Sequence, residues 1–268
     1  MSAIITEKFR KHNANQFHES FTESSASVYY LMIGKATPFT AATSGGTDVS
    51  PATPADDITT EFYTWDQATA LKNISSGDVS FAVPRRDWAN GTTYDMYESN
   101  ISTSNVTTSG ASSIYESTFF FRTTDNRVYK VIDNNSGAAY SGAEPTSEST
   151  SLFTLGGYTL KYMYTISTSS FTKFITADFM PVATDTTVSA ATTDGEIISL
   201  VITGGSGYTN GTYYAAVYGD GTSQGTSSGA IVSIVVSGNA IQSFGLTAGT
   251  DTTVHAAGSS YTFGTVNL

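Results

Sequence analysis

Residues 117–133, STFFFRTTDNRVYKVID, carry the pattern of a β-hairpin. Phe119 to Arg122 and Arg127 to Ile132 are runs of aromatic and β-branched side chains, and Thr124, Asp125 and Asn126 between them tolerate turn conformations. Downstream, YTLKYMYTIS (158–167) sets Tyr158, Leu160, Tyr162, Tyr164 and Ile166 on one face by strict alternation, as a half-buried strand requires. From residue 79 onward this two-residue period dominates, and the chain is expected to be mainly β with a few short helices.

Upstream the texture is mixed. Ile5, Phe9, Phe17 and Phe21 fall on roughly one side of a helical wheel, with Glu7, Lys8, Arg10 and Lys11 mostly on the other, which predicts one amphipathic helix. SVYYLMIGKATPF (27–39) predicts a buried strand ending in a proline turn, and TAATSGGTDVSPATPADD (40–57) a long exposed loop. A second helix is expected in ITTEFYTWDQATALKN (58–73), capped by Asp57 or Thr60, with Phe62, Trp65 and Thr69 on one face.

After Met180, Pro181 and Val182 aromatics thin out and glycine rises. The expected organisation is a β-sandwich-like layered domain at 1–182, a linker at 183–194, and a smaller Gly-rich all-β domain at 195–268. The last part holds a weak duplication: IISLVITGG (197–205) aligns with IQSFGLTAG (241–249), and GSGYTNGT (205–212) with GSSYTFGT (258–265). GTVNL breaks off inside a strand-like run, so either the polypeptide continues or its last strand pairs elsewhere.

Composition removes several function classes. Lys and Arg number 12 against 23 Asp and Glu, and a net charge of -11 repels nucleic acid. The 268 residues contain no cysteine, hence no disulfide, thiolate nucleophile or cysteine metal site. The first residues lack a signal-peptide pattern, and no stretch approaches the roughly 20 apolar residues that span a bilayer, so neither secretion nor membrane insertion is expected. Charged residues make up 13%, beside 16 Tyr and 15 Phe, a profile suited to a protein covered by neighbours.

Candidate chemistry is sparse. His12 and His18 stand six apart, on opposite sides of a helix, and His255 is remote. GDGTSQGT (219–226) lacks the GK[ST] ending of a phosphate loop and reads as a hairpin turn, while GGSGYTNG (204–211) lacks the aspartate that a calcium repeat needs. Asp87, Asp95 and Glu98 could serve as a glycosidase pair, but carboxylates at such spacing are more often turn caps and ion-pair partners. There is no Gly-x-Ser-x-Gly elbow. No enzyme, cofactor or metal is expected.

The densest recognition chemistry lies in VPRRDW (83–88), which holds one of the two tryptophans. Pro84 ends the VSFAV strand and fixes the direction of the exit. Arg85 and Arg86, being adjacent, must point different ways: one pairs with Asp87 or a nearby carboxylate, the other faces outward or spans a subunit boundary. Trp88 inserts into the core beside the exit. Pro84, Arg85, Arg86, Asp87 and Trp88 are thus a candidate interface or structural corner.

The ordered blocks ITEKFR…ANQFHESF, VYYLMIGKATPF, VPRRDW, FFFRTTDNRVYKVIDNNSGAAYSGAEPT, GGYTLKYMYTIS and KFITADFMPV, over residues 4–182, resemble the baseplate wedge protein of T-even-like contractile-tailed bacteriophages, in the version carried by marine and cyanobacterial phages. The resemblance implies a layered β fold with helices in its excursions and no catalysis. It further implies a homodimer within each wedge, contacts to the other baseplate wedge proteins, and new contacts when the plate opens and the sheath contracts. Such a protein is made in the host cytoplasm and resides in the virion, at the tail baseplate. This chain departs from the T-even pattern in lacking its cysteines and in carrying the Gly-rich module. The rival reading is a receptor- or glycan-binding adhesion module presenting Tyr208, Tyr213, Tyr214 and Tyr261.

Overall fold

The computed structural model describes residues 7–25, 27–34, 47, 49–50, 68–192, 195–197, 205–219, 228–245, 256–261 and 264–266. The chain is mainly β, with three helices among the described residues, none long and apolar enough to cross a membrane. Its contacts divide it into two compact units, Met1–Phe81 and Ala82–Leu268.

In the first unit the amphipathic helix is α1, Glu7–Glu19. Beyond its last turns Phe21 reaches Tyr29, as Phe17 does from within the helix, with ring centroids 4.6 and 5.4 Å away, and Ser20 Oγ lies 2.9 Å from the Tyr29 hydroxyl. His18 stacks on Phe81. Strand β1, Tyr29–Gly34, pairs antiparallel with β2, Ala68–Ile74. Two expectations are corrected here. VYYLMIG is a strand but not a buried one: Tyr30, Leu31 and Ile33 are 59, 52 and 58% exposed, since the ribbon has two strands among the described residues and α1 reaches its Tyr29 end. The helix expected over 58–73 gives way over 68–73 to β2, because ATALKN has no strong period of its own and the paired strand decides its conformation. Residues 58–67 of that expectation lie outside the described residues. So do Ile5, nearly all of the expected loop at 40–57, and the turn expected at 219–226 beyond Gly219.

The second unit begins with β3, Ala82–Pro84, paired antiparallel with β8, Phe179–Pro181. A four-stranded sheet follows in the order β4-β5-β7-β6, all antiparallel, from β4 (Phe120–Arg122), β5 (Arg127–Asp133), β6 (Phe153–Leu155) and β7 (Tyr158–Thr165). The β4–β5 hairpin closes through the Asn126 N–H donating to the Thr123 carbonyl at 3.0 Å, with Asn126 at φ 65°, a conformation asparagine tolerates. Along β7 burial alternates as the sequence predicts. The register slips between Val128 and Tyr129, however: these adjacent residues of β5 face Tyr164 and Tyr162, two apart on β7. The buried row of β7 is therefore shared between two clusters. Tyr158, Leu160 and Tyr162 join Tyr94, Phe121, Tyr129, Val131 and Tyr140, while Tyr164 joins Phe120, Val128, Ile166 and Met180. The β6–β7 turn fits because Gly156 holds φ 64°, and any Cβ there would sit 2.6 Å from the buried Tyr140 ring.

Helix α2, Thr168–Phe174, starts at Ser167, whose hydroxyl accepts from the Ser170 N–H, and α3, Thr186–Ala190, starts at Asp185, whose carboxylate accepts from Thr187 and Val188. Val188 packs into the first cluster. In the glycine-rich part β11 (Ser228–Ser237) is central, pairing with β9 (Gly211–Ala216), β12 (Ala240–Gly245) and β13 (Ala256–Ser259); β10 (Tyr218–Gly219) pairs with β14 (Gly264–Thr265). Val217, Ala230, Val232, Ile234, Val236 and Tyr261 form its own core. The half of the duplication that aligns 205–212 with 258–265 has a physical counterpart, while most of the half that aligns 197–205 with 241–249 lies outside the described residues. In each copy a tyrosine folds back over the glycine three residues earlier, so that a Cβ on Gly205 would meet Tyr208 at 2.4 Å and one on Gly258 would meet Tyr261 at 2.6 Å.

A salt-bridged corner as the candidate functional site

The corner is where the chain leaves one sheet for another. Pro84 pairs with Phe179 at the end of β3, and the Arg85 N–H still donates to the Asp178 carbonyl at 2.8 Å. One residue later the backbone has changed partner: the Arg122 N–H donates to the Arg86 carbonyl at 2.7 Å and the Trp88 N–H to the Arg122 carbonyl at 2.8 Å. Residues 86–88 thus run parallel beside β4, covering its open edge. Proline is tolerated at the junction because the ladder there ends.

Alternation then sends the side chains apart. Arg85 donates from Nε and Nη2 to the Asp87 carboxylate, at 2.7 Å for the shortest contact, and from Nη1 to the Thr176 carbonyl at 3.0 Å. Arg122, 8% exposed, donates from Nε and Nη2 to Asp87 Oδ1 at 2.8 and 2.7 Å and from Nη1 to Asn126 Oδ1 at 2.6 Å, and its guanidinium lies over the Phe171 ring. Partial burial would push the Asp87 carboxyl up, but the hydrogen bonds from Arg85 and Arg122 outweigh it and hold the pKa below the ordinary value. The hydrogen bonds to Asp87 raise the Arg85 pKa in turn.

Arg86 turns inward. Its Nη2 donates to the Tyr115 and Glu116 carbonyls at 3.1 and 2.8 Å, its guanidinium lies 5.5 Å from the Phe120 ring centroid, and burial lowers its pKa. The geometry therefore differs from an outward-facing arginine, because two loop carbonyls lie within reach. Trp88 is half-buried, edge-on to Tyr140 at 5.9 Å and packed against the first cluster.

Behind the corner lies a second clamp. Asp95 is 0% exposed; its carboxylate accepts from the Ser109 N–H, the Ser109 and Ser117 hydroxyls and the Thr118 N–H, at 2.7 to 3.1 Å. Burial would raise its pKa, but these donors, led by Thr118, hold it below the ordinary value. Glu98 accepts from Asn105 at 2.9 Å. The three carboxylates weighed as an acid–base pair are thus engaged in holding loops. Among the tyrosines of the adhesion reading, Tyr261 is buried and donates its hydroxyl to the Val217 carbonyl, and Tyr213 donates to the Thr209 carbonyl.

Sequence reasoning paired one of Arg85 and Arg86 with Asp87 or a nearby carboxylate without deciding which, and missed Arg122 as the second arm. The available signal was an arginine following three phenylalanines on a buried strand, where a charge needs a partner. Asp95 as a clamp had no local signal, since its donors lie 14 to 23 residues away.

Side chains committed in this way to fixing backbone segments define a structural component. The comparison with known proteins agrees: residues 3–143, just over half of the 268 residues, match the family described as Bacteriophage T4, Gp8. The chain belongs to that family and is a structural protein of the phage tail baseplate wedge, a virion component that meets other baseplate components. No curated protein matches the chain.

Proposed function

We propose that the chain forms a homodimer within each wedge, links neighbouring wedge subunits during baseplate assembly, and exchanges contacts in the rearrangement that triggers sheath contraction, without catalysing a reaction. The observation that carries this reading is the apolar surface of β1 and β2, where Tyr30, Leu31, Ile33 and Leu71 are each more than half exposed. Tyr30 and Leu71 lie on one face of the ribbon and Leu31 and Ile33 on the other, and apolar side chains left in water in this way are what an interface covers. Arg85 and Asp87, with side chains 28 and 46% exposed, keep part of their hydrogen-bonding capacity at the surface. Sedimentation across a concentration range tests the dimer. The chain is expected to be dimeric at micromolar concentration, and Ile33→Asp to be monomeric with an unchanged melting temperature. A wild-type chain that stays monomeric removes the dimer from the proposal.

The proposed division into 1–182, a linker at 183–194 and 195–268 has support from packing: Val188 sits in the first cluster, whereas Ile197 packs against the core of the glycine-rich strands. On this reading the separation falls within 183–194, on the C-terminal side of Val188. Limited proteolysis is expected to release a fragment ending near there before β7 or β11 is cut, with 40–57 as the competing site. Resistance at both places would count against two modules.

A further inference from the structure

Lys130 stands apart from the other described cations. It lies on β5 with Phe120 opposite on β4 and Lys161 opposite on β7, so two like charges face each other across the ladder. Lys161 donates to the Thr150 carbonyl. Among the described residues Lys130 has no carboxylate partner: its ammonium sits 3.2 Å from the centroid of the Tyr97 ring, which is held in place by the Tyr97 N–H donating to the Val131 carbonyl and by edge contact with Phe119. The described ion pairs join Lys72 to Asp78, Arg85 and Arg122 to Asp87, and Arg127 to Asp125 and Glu148, and none of them includes Lys130. Burial lowers its pKa to about 8, the mark of an ammonium short of water and of a counter-charge. Lys130, Tyr97, Phe119 and Lys161 are each partly exposed, so the site opens to the surface.

We propose that Lys130, on its platform of Tyr97 and Phe119 beside Lys161, receives the carboxylate side chain of a neighbouring baseplate subunit. A single carboxylate matches the site: it supplies the missing charge to two lysines at once, and its size suits a position walled by rings. This inference rests on the assembly role proposed above. Lys130→Met keeps the aliphatic stem against the rings and removes the charge, so the isolated variant should melt higher than wild type while its co-assembly with wedge partners weakens at least tenfold. Lys130→Arg should restore assembly. Propionate titrated into the isolated chain should shift the Lys130 and Tyr97 resonances saturably in wild type and leave Tyr97 unmoved in Lys130→Met. Normal assembly of Lys130→Met overturns the proposal, as does a Tyr97 response to propionate that is absent in wild type or persists in the variant. A wild-type chain that fails to meet any wedge partner would instead sink the assembly role, and the propionate titration would still decide the site.

Discussion

Asp95→Ala is expected to destabilise the isolated chain by about 3–5 kcal/mol, the range for removing a buried charge from its donors. The carboxylate is fully buried and gathers two backbone N–H groups and two serine hydroxyls from residues 109–118, all of which lose their acceptor together. Asp95→Asn, which keeps the volume but turns an amide nitrogen toward donors, should fall between wild type and alanine. The sign with pH follows from the depressed pKa. The stabilisation is present at and above the ordinary carboxylate value and is lost as pH falls through the lower folded value, where the folded chain must take up the proton. Urea unfolding of the wild type and both variants, at neutral pH and under acid conditions, measures this. An alanine variant within about 1 kcal/mol of wild type at neutral pH would contradict the clamp.

Asp87→Ala should cost about 2–4 kcal/mol, and Arg85→Ala about 0–1 kcal/mol. The asymmetry comes from who is left behind. Without Asp87 the buried Arg122 retains Asn126 and the Phe171 ring but no counter-charge, whereas without Arg85 the half-exposed Asp87 keeps Arg122 and gains water. Thermal denaturation of the two variants side by side reads the difference. Equal losses would mean that Asp87 is an ordinary surface pair with both arginines. Arg85→Ala is also the variant that should fold yet assemble poorly, if the exposed part of the corner meets a subunit.

The elements that were legible in the sequence are those whose pattern is local. FFFR and RVYKVI flank residues suited to a turn, and YTLKYMYTI alternates without interruption, so hairpin, strand and exposed face follow from the side chains alone. VYYLMIG shows the limit: the composition of a buried strand specifies a strand, but burial depends on a covering layer that no local pattern announces. ATALKN failed for a related reason, since pairing with β1 outweighs the helix preference of its Ala, Leu and Lys, which propensity alone only weakly enforces. Within the corner, closeness in sequence suggests an arginine for Asp87 but not which one, while Arg122 and the carbonyls of Tyr115 and Glu116 arrive from 29 to 35 residues away and depend on the path of the fold.

The register slip between β5 and β7 bears on how the molecule comes apart. Because one strand supplies buried tyrosines to two separate clusters, neither cluster can open without unpairing the segment that seals the other. Residues 82–182 should therefore behave as one cooperative unit, with amides along β7 exchanging at a common, global rate. Such an interior would suit the rearrangement proposed above: strain that reaches the sheet is shared by both clusters, and partial melting within it has no low-energy route.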